Sequence, residues 1–290
     1  MDLQPFHIVP AANLVGEGIL WDARRRRLLW TDIPQRRLFT LDWEGGAVST
    51  LEMPERLGSF GLVHEDSRLI AAFASGIALY EPQGGAIEWL ARPCADASGV
   101  RFNDGRVDRR CRLRPSYRSR SGRAQGALYC AGAGGQVRSH LQDIRISNSL
   151  CMSPDGGQLY FADTPTRTIR AFELIEPEGR LGAGREFART PDGAYPDGAT
   201  VDADGCLWSA HWGGGCVVRY TPEGRIDRTI RIPTRQPSCV CFAGPDLDIL
   251  CVTSAREDLD EAALLAEPHA GDVFFYRVGT RGLAEVEYRP

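Results

Sequence analysis

Four polar residues recur at matched places along the chain: Glu17 in GEGILW, Asn103 in RFNDG, Asn148 in ISNSLCM and Asp197 in YPDGATV. Each stands four positions before an apolar residue (Trp21, Val107, Met152, Val201), and a turn and then an apolar run follow. If these positions converge, two carboxylates and two amides surround one point. Carboxylates gathered away from water repel one another and lose hydration, so they need a cation or a raised pKa. Carboxylate and amide oxygens make an all-oxygen set suited to Ca2+, Mg2+ or Mn2+ rather than to a thiolate-preferring metal. With few protein ligands, positions stay open for water and substrate, as a catalytic cation requires. The competing explanation is that Asn and Asp recur because they cap loops and turns. It fits Glu17 poorly, since Glu is no turn former, and it does not account for four such residues in register.

Other polar residues lie near these positions. Arg101 is two residues before Asn103 and, in an extended stretch, points the same way. It would either hold an anionic or polyhydroxyl ligand over the site or form a surface salt bridge. His211 and Trp212, Asp32, and Asp163 end apolar runs that return toward the same face. They either line the mouth of a pocket or make hydrogen bonds within loops. There is no G-x-S-x-G elbow, no H-E-x-x-H, no dinucleotide fingerprint and no P-loop. The five histidines show no ligand spacing.

A repeat of short strands could position such a ring. Runs such as LLWTDI, RLFTLD, RLIAAF, QLYFADT, CLWSAHW and DVFFYRV read as strands bounded by turn residues. Only DEAALLAE, near residue 260, reads as helix. The four motifs, with looser copies at Ser59 and Ser238, recur at a period of roughly 42 to 47 residues, in the range of four-stranded propeller blades. Six such units fill the chain. The expectation is an all-β, six-bladed β-propeller, one domain over residues 1–290, with terminal strands closing the ring. Equivalent positions at the start of the innermost strands then converge on the central axis, with Ser59 and Ser238 at the same level.

Two Asp-Gly pairs in AYPDGATVDADGCLW differ in kind. Asp204-Gly205 aligns with Asp155-Gly156 between two strands of a blade, where Asp-Gly makes a tight hairpin turn. A calcium loop is excluded there, because the further ligands and the terminal Glu are missing. Asp197 belongs to the axial ring.

The 290-residue composition, 43% hydrophobic and 25% charged, describes a globular protein with a large core. A net charge of −4 gives no sign of a nucleic-acid or anionic-membrane partner. Arg24 to Arg27 read as a solvated turn. No signal peptide and no bilayer-spanning run are evident. Nine scattered cysteines, an odd number without a CxxC pair, suit a reducing compartment, so the expected location is cytoplasmic.

The stretches GEGILW, RFNDG, ISNSLCMSPDGGQLYFADT, YPDGATVDADGCLWSAHWGGG and FAGPDLDILCVTSAR together resemble the senescence-marker-protein/gluconolactonase/regucalcin-like family of sugar lactonases, with the bacterial aldonolactonases nearest. The resemblance implies a six-bladed propeller and metal-dependent opening of an aldonolactone such as gluconolactone, L-arabinonolactone or xylonolactone. It implies one divalent ion (Ca2+, Zn2+, Mn2+, Mg2+ or Fe2+) held by Glu17, Asn148 and Asp197. Arg101 and Asn103 would contact the substrate, and Asp197 would accept a proton from the attacking water. A small-molecule lactone is the expected partner, and the chain a monomer or weak homo-oligomer. A calcium-binding regulatory protein without catalysis would use the same ligands. One segment departs from the family pattern: residues 109–123 read RRCRLRPSYRSRSGR, with Pro115 where a central strand belongs. Proline removes a ladder hydrogen bond, so disorder or an edge position is expected there.

Overall fold

A computed structural model describes residues 3–93, 100–119, 126–175 and 179–290. Their strands form six four-stranded antiparallel sheets arranged as the blades of a β-propeller. The innermost strands are Gly16–Asp22, Leu57–Leu62, Val100–Val107, Ser147–Met152, Tyr195–Val201 and Pro237–Ala243. Each packs beside the next, and the last returns to the first, so together they enclose the axis. The ring closes inside the sixth blade. There His7–Val9, from the N-terminus, pairs with Val273–Arg277 and supplies the outermost strand.

The strands form as their alternation and turns dictate. Trp30 and Trp208 are fully buried, and Trp30 stacks on Phe39 with ring centroids 5.1 Å apart. The apolar clusters run between blades: Ile19 and Trp21 of blade one pack with Cys239, Cys241 and Phe275 of blade six. Each such side chain contributes roughly 1.5–3 kcal/mol on burial, which makes interblade packing the main force holding the ring. DEAALLAE forms the helix Glu261–Ala266, capped by Asp260 Oδ1 accepting from Ala263 N at 2.8 Å.

One local feature recurs in every innermost strand. The pairing register shifts between Glu17 and Leu20, Leu57 and Ser59, Phe102 and Gly105, Asn148 and Cys151, Pro196 and Ala199, and Pro237 and Val240. A bulge inserts a residue and re-aims the side chains around it. The four axial candidates therefore sit where the pleat of their innermost strands is broken.

The expectation for Pro115 is corrected. Leu113–Ser119 is the second strand of blade three, between Val100–Val107 and Gly126–Ala131, with Pro115 opposite Gly105. The ladder to the third strand registers only at Leu113–Ala131 and Ser116–Leu128, which passes over Pro115 and leaves its missing N–H without consequence. Nor is the arginine-rich stretch all solvated. Arg114 is fully buried, donating from Nε to Asp108 Oδ2 at 2.7 Å and from Nη2 to Gly179 O at 3.0 Å. Residues 120–123 of the atypical segment lie outside the described residues. Arg24 to Arg26 lie in an exposed turn and Arg27 opens the next strand, with Arg25 and Arg27 paired to Asp22.

Candidate active site

A cavity of about 390 Å3 opens at one end of the axis. Glu17, Asn103, Asn148 and Asp197 all line it, from blades one, three, four and five. All four are buried. Ser59 and Ser238 do not reach the cavity. Ser59 is buried beside Gly105, and Ser238 Oγ donates to Gly16 O and lies 3.1 Å from Thr253 Oγ1.

Glu17 Oε2 accepts from Gly18 N at 3.1 Å. Its carboxyl is pushed well above the usual carboxylate range, first by burial, then by the charges of Asp197 and Asp104. The Gly18 N–H and Arg101 oppose that shift and do not cancel it. Asp197 is held by its backbone: Ser149 Oγ donates to its carbonyl at 2.8 Å, while Thr164 Oγ1 donates to Pro196 O at 2.9 Å. Gly198 is a packing glycine rather than a turn glycine. A Cβ there would lie 2.5 Å from Cys239 Sγ, so only glycine lets blade five approach blade six. Asp204-Gly205 is the turn, with Gly205 at φ +80°.

The two amides are linked. Asn103 Nδ2 donates to Asn148 Oδ1 at 2.9 Å and to Ser147 O at 2.8 Å. Arg101 Nη1 donates to Asn103 Oδ1 at 2.6 Å and to Phe102 O at 2.9 Å. Arg101 is buried, so a surface salt bridge is excluded, and it stands behind Asn103 rather than in the cavity lining.

The remaining candidates divide. Asp32 accepts from Leu14 N at 2.8 Å and Val15 N at 3.2 Å. Asp163 does the same for Arg145 N at 3.2 Å and Ile146 N at 2.9 Å. These are loop hydrogen bonds, and each fixes the approach to an axial residue (Glu17 or Asn148). His211 is buried and meets Tyr220 Oη at 3.2 Å through Nε2, while Trp212 beside it lines the cavity.

Several lining or adjacent residues do not emerge from the sequence reading. Asp104 is buried next to Asn103, with Oδ2 accepting from Leu150 N at 2.8 Å, and burial raises its pKa. Thr164, Tyr195, Glu257 and Asp258 line the cavity. The Asp in RFNDG was the available signal for Asp104. Glu257 and Asp258 come from a connection far along the chain and carried none.

The donor set fits a hard divalent cation. Glu17, Asp197 and Asn148 offer oxygens only, and the charge of Asp197 acts on the buried Glu17 carboxyl. Among the described residues no group of three or more His, Cys, Asp or Glu side chains converges, so any bound ion depends on the amide as well.

Residues 15–256 match the family described as the SMP-30/Gluconolactonase/LRE-like region. The chain is 40% identical over 285 residues to 6-deoxy-6-sulfogluconolactonase of Pseudomonas putida, covering 96% of each. It is 36% identical over 282 residues to L-arabinolactonase of Azospirillum brasilense, covering 95% of this chain and 92% of that one. Among solved structures it is similar to a calcium-binding protein, regucalcin, from Agrobacterium tumefaciens, with a TM-score of 0.94, 32% identity and full coverage of both chains. A match over most of the chain, shared by sequence and by fold, assigns the protein: it belongs to the SMP-30/gluconolactonase/LRE-like family.

Proposed function

We propose that the chain is a hydrolase that opens a sugar lactone to the aldonic acid, using one divalent cation held by Glu17, Asn148 and Asp197. The observation that carries this reading is the convergence of two buried carboxylates and two linked amides, from four blades, on one cavity of about 390 Å3. That volume suits a monosaccharide-sized ligand. The names of the two lactonase relatives support the reaction class. When bound, the cation supplies Lewis-acid polarisation of the lactone carbonyl.

The chain's own residues do the rest. Asp197 accepts the proton of the attacking water as general base at one carboxylate oxygen. Its backbone, pinned on both sides from blade four, keeps that oxygen aimed at the cavity. Asn103 forms part of the wall that orients the lactone, and the guanidinium charge of Arg101 favours the negative charge that develops on the carbonyl oxygen. Arg101 acts from behind Asn103, whose Oδ1 it holds at 2.6 Å. Tyr195 and Trp212 wall the cavity and exclude water from the sugar ring's apolar face. The leaving alkoxide stays attached to the product as its new hydroxyl after protonation.

Free thiols at Cys111, Cys130, Cys151, Cys206, Cys216, Cys239, Cys241 and Cys251 support a reducing, cytoplasmic setting. Among the described residues no helix is long and apolar enough to cross a membrane. A non-catalytic calcium-binding role is the second reading, favoured by the likeness to the calcium-binding regucalcin. Hydrolysis of gluconolactone, arabinonolactone and xylonolactone, followed by acid release at constant pH, tests the choice. Turnover of at least one lactone above the uncatalysed rate supports the hydrolase. Calcium binding with no turnover of any would favour the second reading.

A further inference from the structure

An asparagine side chain can be turned either way round with little change in shape, so what faces a cation depends on which neighbours fix it. At this site the amides are fixed from both ends of one hydrogen-bond chain. Arg101 can only donate, so the Asn103 atom that meets Nη1 at 2.6 Å must be Oδ1. Asn103 Nδ2 therefore points to Asn148 and donates to its Oδ1 at 2.9 Å. At the far end the Pro196 carbonyl can only accept, so the Thr164 hydroxyl gives its one proton there, at 2.9 Å. Thr164 Oγ1 is then an acceptor, and Asn148 Nδ2 donates to it at 2.8 Å. Both ends impose the same orientation on Asn148.

Thr164 also joins two candidate ligands. Its hydroxyl holds the side chain of Asn148 in blade four and the carbonyl immediately before Asp197 in blade five. No other described side chain is bonded to both. Thr164 follows the strand Gln158–Asp163 and opens the short 3-10 turn Thr164–Thr166, so its backbone is set by blade four rather than by the ligands.

We propose that Thr164 is a positioning residue for cation binding: it holds Asn148 with Oδ1 presented and spaces Asn148 from Asp197. The inference rests on the cation-dependent reading of the site. Removing the hydroxyl leaves Asn148 Nδ2 and Pro196 O without this partner in a buried wall. The ligand amide then loses its fixed orientation.

Calorimetric titration of metal-stripped protein with CaCl2 and with MnCl2 tests this, with folding of each variant checked by circular dichroism. Thr164→Val should weaken binding of the ion that the wild type prefers by roughly 10–100-fold, the usual effect of losing a group that orients a metal ligand. Thr164→Ser, which keeps the hydroxyl, should bind like the wild type. Thr164→Ala stands in for Thr164→Val if the latter does not fold. Unchanged affinity in the hydroxyl-free variants overturns the proposal. So does a Thr164→Ser variant as weak as they are, since the methyl group would then be responsible. A wild type that binds neither ion defeats the cation reading itself, a result distinct from loss in the variants alone.

Discussion

The proposed chemistry rests on Glu17 and Asp197; Glu17 was legible in the sequence because Glu is no turn former, and Asp197 because it stands in register with Glu17, Asn103 and Asn148. A buried Glu at a strand start has no structural use that a smaller residue would not serve. Asp104 was less legible, because its counterparts at the same step in the other site-bearing blades are Gly18, Ser149 and Gly198. It departs from the repeat in one blade only, and its burial beside Glu17 needs coordinates to be seen. At this scale the account predicts that Asp197→Asn folds normally and loses about 10²–10⁴-fold in turnover, the usual range for a general base. Steady-state lactone kinetics on a variant with unchanged circular dichroism would check it. Near-normal turnover would remove Asp197 from that role.

At the scale of the element, the hairpin around Asp204-Gly205 shows how a correct turn assignment can miss the residue that holds the turn. Gly205 takes the positive φ, but Asp202 accepts the N–H groups of Asp204 and Cys206 at 3.0 Å each. Asp202 also accepts from Trp208 Nε1 and Arg219 Nε, both at 2.8 Å, and is fully buried. Removing one partner of a buried charge pair costs about 3–5 kcal/mol, so Asp202→Ala should lower the melting temperature by roughly 10 °C. Asp204→Ala removes an exposed partner of Arg219 and should cost under about 1 kcal/mol. Equal losses in the two variants would contradict this division. The next strand, Leu207–Trp212, carries His211, whose burial holds its pKa down at about 4. A depressed histidine contributes stability above its ordinary pKa near 6.5 that is lost as pH falls toward 4. Thermal melts between those limits should therefore fall less steeply for His211→Gln than for the wild type. Parallel curves would show that His211 does not contribute.

For the whole molecule, six copies of one strand pattern made the propeller legible, since the repeat announces both blade number and the axis on which its first strands converge. What the repeat could not reveal is how the ring treats its exceptions. Pro115 reads as a strand breaker, yet the ladder beside it has a gap that makes the proline harmless. Ring closure rests on the three-residue strand His7–Val9, whose register with Val273–Arg277 covers the sixth blade's edge. Deleting residues 1–12 should expose that edge, lower the melting temperature and promote self-association, as size-exclusion chromatography would detect. An unchanged elution profile with unchanged melting would show that the other blade contacts suffice.

The central claim joins all three scales: a ring of blades brings Glu17, Asn148 and Asp197 to one cavity so that a bound divalent cation can support lactone opening. The most direct test is hydrolysis by metal-stripped protein, with Ca2+, Mg2+, Mn2+, Zn2+ and Fe2+ restored one at a time. The account predicts little activity without metal and recovery with at least one ion, accompanied by a rise in melting temperature worth about 2.7 kcal/mol at a hundred times the dissociation constant. Full activity in the stripped protein, or no recovery with any ion that binds, would contradict it.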